Sequence, residues 1–233
     1  MSRVWSPLRV ATALTLGAWA AVFWFLLATG RTTLYLSSRT AWVVPMGAVV
    51  LTVAAVARMA TARTDHREVL SGGRAWSLGI VVLPALVVMA VPPGALGSFA
   101  VSRRSAVSAG VVPADDVSSG QITLVDVAAA KWSDDAARQL VRRAGAPVSF
   151  VGFVSEDTGG AADEFVLTRF LVSCCVADAL SVQVRVVGAP PGLFKQDQWV
   201  KVAGNIYPLG HEMIVDASSV TPVPRPSSPY LNI

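Results

Sequence analysis

Both cysteines of the chain stand side by side, at Cys174 and Cys175, and a carboxylate follows at Asp178. Two thiolates and a carboxylate are suitable ligands for a soft or borderline cation such as Zn²⁺ or Cu⁺. They are one ligand short of a closed tetrahedral site, and the fourth could come from His211, Glu212, water or a second chain. We therefore interpret Cys174, Cys175, Asp178 and His211 as a candidate metal site, with zinc as its candidate ion.

The cysteine pair has two other interpretations. Adjacent cysteines outside the cytoplasm can form a vicinal disulfide that cycles between dithiol and disulfide. Free cysteines also pack like small hydrophobic residues, and the pair would then be structural. Because neighbouring side chains on a strand point to opposite faces, both thiols reach one ion only if the backbone turns at or after them. Val176 to Leu180 is the predicted turn.

Arg169 lies in the strand-like run before the cysteines, where it could pair with Asp178 or an anion, or lie on a solvated strand face. Motifs for other chemistries are missing from the sequence: there is no phosphate-binding glycine loop, no serine in a nucleophile elbow and no HExxH. The carboxylate pairs, such as Asp134-Asp135, stand where helix capping or a linker explains them. We therefore expect the protein not to be an enzyme.

The composition is typical of a membrane protein. Of 233 residues, 53% are hydrophobic and 15% charged, whereas soluble proteins carry about 25% charged residues. The net charge is +4, but the arginines flank apolar segments, where they act as topology signals and contacts for anionic membrane lipid. No basic stripe interleaved with aromatic residues appears, so we expect no nucleic-acid partner.

Residues 1–101 form the predicted transmembrane region, with spans at about 10–28, 41–57 and 77–100. The first segment is long enough to cross a hydrocarbon core as a helix. It lacks a cleavage site of small residues, which favours a retained helix over a signal peptide. The third segment contains Pro84 and a Pro92-Pro93 break, which we expect at the interface or against protein.

The arginine distribution predicts the topology of this multi-pass membrane protein. With three spans, six arginines fall on the side of the N-terminus and four on the other. The first set is Arg3, Arg9, Arg58, Arg63, Arg67 and Arg74, and the second is Arg31, Arg39, Arg103 and Arg104. The positive-inside rule then places the C-terminal domain outside the cytoplasm. A re-entrant third segment would reverse this orientation.

The remaining chain predicts a linker at 102–120, a barrel-like β domain at 121–220 and a proline-rich tail at 221–233 that is disordered or extended. Gln121 to Asp126 is a strand candidate, and Ser133 to Ala144 is a helix with Ser133 as its N-cap. Five strand-like runs follow: 148–154, 164–173, 181–187, 198–206 and 213–220. Short strands punctuated by glycine favour an OB-like barrel. The predicted fold is therefore an α+β membrane protein with three transmembrane helices and a small, mostly-β domain carrying one short helix.

The sequence also resembles a known family. The segments Gly152-Phe153-Val154, Thr168-Arg169-Phe170, Cys174-Cys175-Val-Ala-Asp178-Ala179 and Trp199-Val-Lys-Val-Ala-Gly204, after three apolar segments, are similar to the YcgQ-type family of bacterial membrane proteins. The resemblance runs from the first span to about Val220. It implies pairing with a YcgR-type predicted permease and gives weak support to zinc, and it carries over no catalytic residue.

These observations lead to one favoured hypothesis and two alternatives. We expect a non-enzymatic, membrane-anchored accessory subunit of a permease, whose Cys-Cys-x-x-Asp site binds a metal ion or a metal-bearing ligand. The first alternative is a membrane-tethered thiol/disulfide redox protein. The second is a structural module in which the cysteines pack in the barrel.

Overall fold

The structure is a computed structural model of the chain, and it describes residues 4–64, 70–91, 94–103, 120–155, 163–189, 193–210 and 212–232. The chain divides into two compact units, Met1–Gly94 and Ala95–Ile233. The first unit is almost entirely helical, and the second contains a β-barrel with short helices.

Three apolar helices form the first unit: α1 (Pro7–Ala28), α2 (Val43–Ala60) and α3 (Gly72–Ala90). Each is long and apolar enough to cross a membrane. Many of their large apolar side chains face outward, and Val53 is 62% exposed while Leu83 is 60% exposed. Apolar faces of this extent on long helices are typical of contact with lipid, which supports association with a membrane.

Helix α1 contacts both α2 and α3, partly through tryptophan side chains. The indole N–H of Trp24 donates to the hydroxyl of Thr52 on α2 at 3.1 Å. That of Trp19 donates to the carbonyl of Val81 on α3, also at 3.1 Å. Hydrogen bonds of this kind help to hold membrane helices together, because the hydrophobic effect does not drive helix association within lipid. Two short strands pair antiparallel: β1 (Val4–Trp5), which precedes α1, and β2 (Arg63–Thr64), which follows α2.

The third span was expected at 77–100, but α3 ends at Ala90. Val91 is extended, with φ −96° and ψ 116°, as expected for a residue that precedes proline. Pro92 and Pro93 lie outside the described residues. Farther along, Ser98–Arg103 forms a separate helix, α4, which belongs to the second unit.

The second unit is built on a closed, five-stranded barrel. Its strands are β3 (Pro147–Ser155), β4 (Phe165–Val172), β5 (Leu180–Val187), β6 (Trp199–Leu209) and β7 (Glu212–Pro222). The order around the barrel is β3-β6-β7-β5-β4, and β4 returns to β3. The β5–β7 pairing is parallel, and the other barrel pairings are antiparallel. This arrangement confirms the predicted α+β class with a small barrel.

The barrel core follows the alternation visible in the sequence. Val182, Val184 and Val186 on β5 are all buried, whereas Gln183 between them is exposed. Two helices, α5 (Leu124–Trp132) and α6 (Asp134–Val141), add apolar side chains to the same core. The hydroxyl of Ser133 accepts the N–H of Ala136 and caps α6, as predicted.

The predicted strand at Gln121–Asp126 is wrong, because helix α5 begins inside it. The Asp126 carboxylate accepts the backbone N–H of Thr123 at 2.6 Å, and the Thr123 hydroxyl accepts the N–H of Asp126 at 3.3 Å. This reciprocal pair is a capping box, which fixes the start of a helix. The β-branched residues around Thr123 favoured a strand, but the capping geometry prevails.

The C-terminal tail is extended and packs on the barrel. β7 continues to Pro222, and a last short strand, β8 (Leu231–Asn232), pairs parallel with β4. Tyr230, just before β8, is only 4% exposed. Residues 230–232 are therefore part of the folded domain.

Candidate metal site

The cysteine pair lies in the connection from β4 to β5, at residues 173–179, which we call the cysteine turn. Strand β4 ends at Val172, and a single 3-10 turn, Val176–Asp178, follows the cysteines before β5 begins. The predicted turn is thus present where the sequence placed it. Because the backbone leaves the strand before Cys174, the two side chains are free of the strand alternation that would separate them.

Asp178 shapes this turn through its carboxylate. One carboxylate oxygen accepts the backbone N–H of Ser173 at 3.0 Å. The other accepts those of Cys174 at 2.7 Å and Cys175 at 3.3 Å. A carboxylate that accepts several N–H groups is a strong local cap. Asp178 therefore holds both cysteines in position.

The two thiols lie next to each other at the surface. Their Sγ atoms are 3.7 Å apart, Cys174 is exposed, and Cys175 is partly buried. The two sulfurs and an Asp178 oxygen all lie within 4.8 Å of one another. The structure thus brings together three of the four predicted ligands, and this group could hold a metal ion.

The protonation states follow from the contact between thiol and carboxylate. Hydrogen bonds to Asp178 and Cys175 raise the pKa of Cys174 to about 11. Partial burial works to raise the pKa of Asp178, but hydrogen bonds from the Cys174 thiol and from the turn backbone hold it below its ordinary value. Near neutral pH, Cys174 is therefore a thiol facing a charged carboxylate. Metal binding would have to displace the thiol proton.

The sulfur spacing suits a tetrahedral ion. With Zn–S bonds of about 2.3 Å, two thiolates at a tetrahedral angle lie about 3.8 Å apart. The observed separation of 3.7 Å needs little adjustment to reach this value. Two sulfurs with a nearby carboxylate form a ligand set for zinc or another thiophilic cation.

The inner side of the cysteine turn packs on a small apolar cluster outside the barrel, which we call the secondary core. Phe153, Phe170, Val172, Ala179 and Tyr230 form its buried part. Leu96, Ala100, Val101, Val176 and Trp199 pack against it. Three separate pieces of chain thus meet there: the cysteine turn, the C-terminal tail and the region of α4.

Arg169 holds the tail and makes no contact with Asp178. Its guanidinium donates to the carbonyls of Ser228 at 2.8 Å, Pro229 at 3.2 Å and Val151 at 3.3 Å. It also lies over the Trp199 ring, 5.8 Å from the centroid. Burial lowers the pKa of Arg169, and its donors are directed to backbone carbonyls. The structure thus shows Arg169 clamping the tail, and neither the possible pairing with Asp178 nor a fully solvated strand face is observed.

The structure does not provide a fourth ligand from either of the two residues considered for it, His211 and Glu212, among the residues it describes. His211 lies outside the described residues. Glu212 accepts a hydrogen bond from Arg185 at 2.6 Å and does not belong to the cysteine group. In the described part of the chain, the protein therefore provides three ligands at this site.

Sequence reasoning missed two features of the site. The first is the capping role of Asp178, although the spacing Cys175-x-x-Asp178 is that of a cap and a residue three positions later. The second is the secondary core, which joins residues far apart in sequence, such as Leu96 and Tyr230. No local periodicity marks contacts of this range.

Comparison with known proteins assigns the domain that carries this site to a family. No curated protein matches the chain. Residues 106–232 match the family described as the DUF1980 C-terminal domain, and this match includes the barrel, the cysteine turn and the C-terminal tail. Because the match extends over more than half of the sequence, the chain belongs to the DUF1980 family.

Proposed function

We propose that the protein is a non-enzymatic, membrane-anchored accessory subunit of a permease, and that its cysteine turn binds a metal ion or a metal-bearing ligand. The observation that carries the proposal is the pair of cysteine thiols, 3.7 Å apart at the surface, with the Asp178 carboxylate beside them. Zn²⁺ is the first ion to test because the donor set and the sulfur spacing suit it.

The site suits an ion that is taken up and passed on. Structural zinc sites are closed by four protein ligands, whereas sites that exchange or react keep an open position. Here Cys174 is exposed, and the barrel core is filled by side chains such as Leu167 and Val184. The barrel therefore does not need an ion in order to fold. Water, His211 or a group of the partner would complete the coordination.

The membrane part supports an accessory role. Three apolar helices anchor the domain, and the arginine distribution favours a domain outside the cytoplasm. The described segments of these helices contain no Asp, Glu or Lys that would provide an ion path. Transport would then depend on a partner, and the resemblance to the YcgQ-type family suggests a YcgR-type permease.

Zn²⁺ binding by the purified, reduced, full-length protein tests the metal half of the proposal. We expect the wild-type chain to retain about one Zn²⁺ per chain, and the Cys174→Ser/Cys175→Ser variant to retain none. Ser173→Ala is the matched control, since Ser173 contributes its backbone N–H to the turn. Equal zinc content in wild type and the double variant would refute metal binding at this site.

Co-purification tests the partner half. The tagged protein should retain a co-expressed YcgR-type permease through detergent extraction. The double cysteine variant should retain it equally, because the apolar helices are proposed to make most of the contact between the two proteins. Recovery of the protein alone under conditions that preserve other membrane complexes would contradict the accessory role.

The redox interpretation remains a second candidate because the two cysteine thiols lie in contact. The high pKa of Cys174 makes it less suitable as a redox nucleophile, since the thiolate is the reactive form. Alkylation followed by mass measurement separates the two functions. A thiol count that rises after mild reduction of the native protein would favour the redox protein, and an unchanged count would exclude a disulfide.

A further inference from the structure

We infer that an ion held by Cys174 and Cys175 is coupled to the seating of two segments on the barrel, namely α4 and the C-terminal segment 228–232. The inference rests on the proposed metal binding and adds a consequence to it. Occupancy of the cysteine turn would stabilise both segments in their packed positions, and the packed segments would in turn raise the affinity for the ion.

The first link is the secondary core, to which the cysteine turn contributes directly. Ala179 is 5% exposed and Tyr230 is 4% exposed, and both belong to this cluster together with Val176. Val176 and Ala179 flank Asp178, the residue that fixes the cysteine backbone. Because packed side chains transmit displacement rather than absorb it, the shape of the turn and the seating of Tyr230 depend on each other.

The second link is the C-terminal segment, which two contacts with the barrel and one with the residues before α4 hold in place. Asn232 pairs with Val172, the last residue before the cysteine turn. The Arg169 guanidinium donates to two carbonyls of the segment. The Tyr230 hydroxyl accepts the backbone N–H of Leu96 at 3.2 Å. The segment thus bridges the base of the turn to the residues that lead into α4.

The third link fixes the start of α4. Oδ1 of Asp197 accepts the backbone N–H of Ser98 at 2.6 Å and its hydroxyl at 2.7 Å. Farther along, Ala100 and Val101 pack against the secondary core. In the sequence, α4 is the first helix after the apolar helix α3. A change in the packing of α4 is therefore one way in which an ion bound at the cysteine turn could affect other parts of the chain.

The direction of the coupling follows from the restraint that an ion imposes. An ion bound by both thiols closes a small ring through adjacent residues and limits the conformations of the turn. A restrained turn keeps Val176 and Ala179 in the cluster, and openings of the secondary core become rarer. By linkage, loosening the core must weaken ion binding by the same factor as the ion strengthens the core.

Two measurements on the full-length protein test the coupling. In hydrogen exchange, saturating Zn²⁺ should slow the amides of α4 and of 228–232 by about fivefold or more, and should leave them unchanged in Cys174→Ser/Cys175→Ser. In a competition titration, Tyr230→Ala should bind Zn²⁺ about fivefold more weakly or worse. Arg225→Ala, a change at an exposed position of the same tail, should keep the wild-type affinity.

The outcomes separate this inference from the proposed function. If the wild type binds Zn²⁺ but neither segment changes its exchange rate, the coupling is refuted and metal binding stands. If no Zn²⁺ binds, the proposed function fails first. Should Tyr230→Ala not fold, Tyr230→Phe removes only the hydroxyl that accepts the Leu96 N–H. We then expect a smaller loss of affinity in the same direction, and wild-type affinity in that variant would contradict the inference.

Discussion

The carboxylate of Asp178 accepts the backbone N–H of Cys174 at 2.7 Å and also accepts a hydrogen bond from the thiol of the same residue. One side chain therefore fixes the position of Cys174 and keeps it protonated. The hydrogen bond with Asp178 is the largest cause that raises the pKa of Cys174 to about 11, and the contact with Cys175 and desolvation raise it further.

Removing the carboxylate should make Cys174 more reactive. In Asp178→Ala, the pKa of Cys174 should fall from about 11 towards 9.0. The thiolate fraction near neutral pH would rise by up to about 100-fold, and the lower basicity of the thiolate offsets about tenfold of that gain. In a Cys175→Ala background, where Cys175 no longer contributes to the pKa of Cys174, we expect alkylation to become faster by up to about tenfold. Asp216→Asn, on β7, should leave the rate unchanged, and an unchanged rate in Asp178→Ala would contradict the contact.

Zinc affinity should rise with pH across the neutral range. Cys174 holds its proton below a pKa of about 11, so binding must release it, and alkaline conditions favour the release. The apparent affinity should increase about tenfold per pH unit for each proton displaced. Asp178, whose pKa is lowered, stays charged there and adds no pH dependence. Competition titrations between about pH 6 and pH 8 measure the slope, and a flat profile would exclude Cys174 as a ligand.

The native cysteines report the topology of the membrane protein. Both lie in the second unit, and Cys174 is exposed. A membrane-impermeant thiol reagent should label intact cells as strongly as it labels lysed cells, if the domain faces outward as the arginines predict. The Cys174→Ser/Cys175→Ser variant gives the background. Labelling that appears only after lysis would place the domain in the cytoplasm.

Asp197 should be needed to seat α4. Its backbone has φ 64°, a left-handed conformation that aspartate tolerates better than most residues. Asp197→Ala leaves the backbone N–H of the buried Ser98 without its acceptor and the Ser98 hydroxyl with only the Val154 carbonyl at 3.4 Å, at a cost of about 1–3 kcal/mol. Hydrogen exchange in α4 should then quicken while the barrel strands stay protected. Asp197→Asn keeps the amide oxygen and should have a smaller effect, and equal exchange in all three proteins would refute the role.

Gly204 should resist substitution because of a close backbone approach. A Cβ atom there would lie 2.0 Å from the carbonyl oxygen of Asp216, at the point where the β6–β7 register shifts. Gly204→Ala should destabilise the barrel by about 1–3 kcal/mol, seen as a lower thermal midpoint. Gly120→Ala, where nothing lies within 4 Å, is the control. A wild-type midpoint in Gly204→Ala would show that the bulge can open without loss.

Much of this architecture was predictable because it depends on local sequence patterns, namely apolar runs and the alternation of apolar and polar residues. The segments of α1 and α2 are uninterrupted apolar runs long enough to cross a membrane, and the burial of one face of β5 leaves an alternating pattern in the sequence. The turn after Cys175 was predictable because an apolar run leads into the cysteines and an alternating run begins at Ser181.

The errors arose where a short motif or a distant contact decides the structure. At Thr123 a capping box overrode a run of β-type residues. For Arg169 the sequence left open a pairing with Asp178 or an anion and a place on a solvated strand face. Its partners are instead backbone carbonyls of Val151 and of the tail, which no side-chain pattern in the sequence indicates. The meeting of Leu96, Val176 and Tyr230 likewise depends on how the barrel closes.

The pairing of β8 with β4 has a consequence for the order of folding. Leu231 and Asn232 pair with Leu171 and Val172 next to the cysteine turn, although strands β5, β6 and β7 lie between them in the sequence. Contacts between residues so far apart in the chain form slowly, because the loop between them must close first. We therefore expect the β4–β5 hairpin to form early and the cysteine turn to reach its final packing late, when β8 docks.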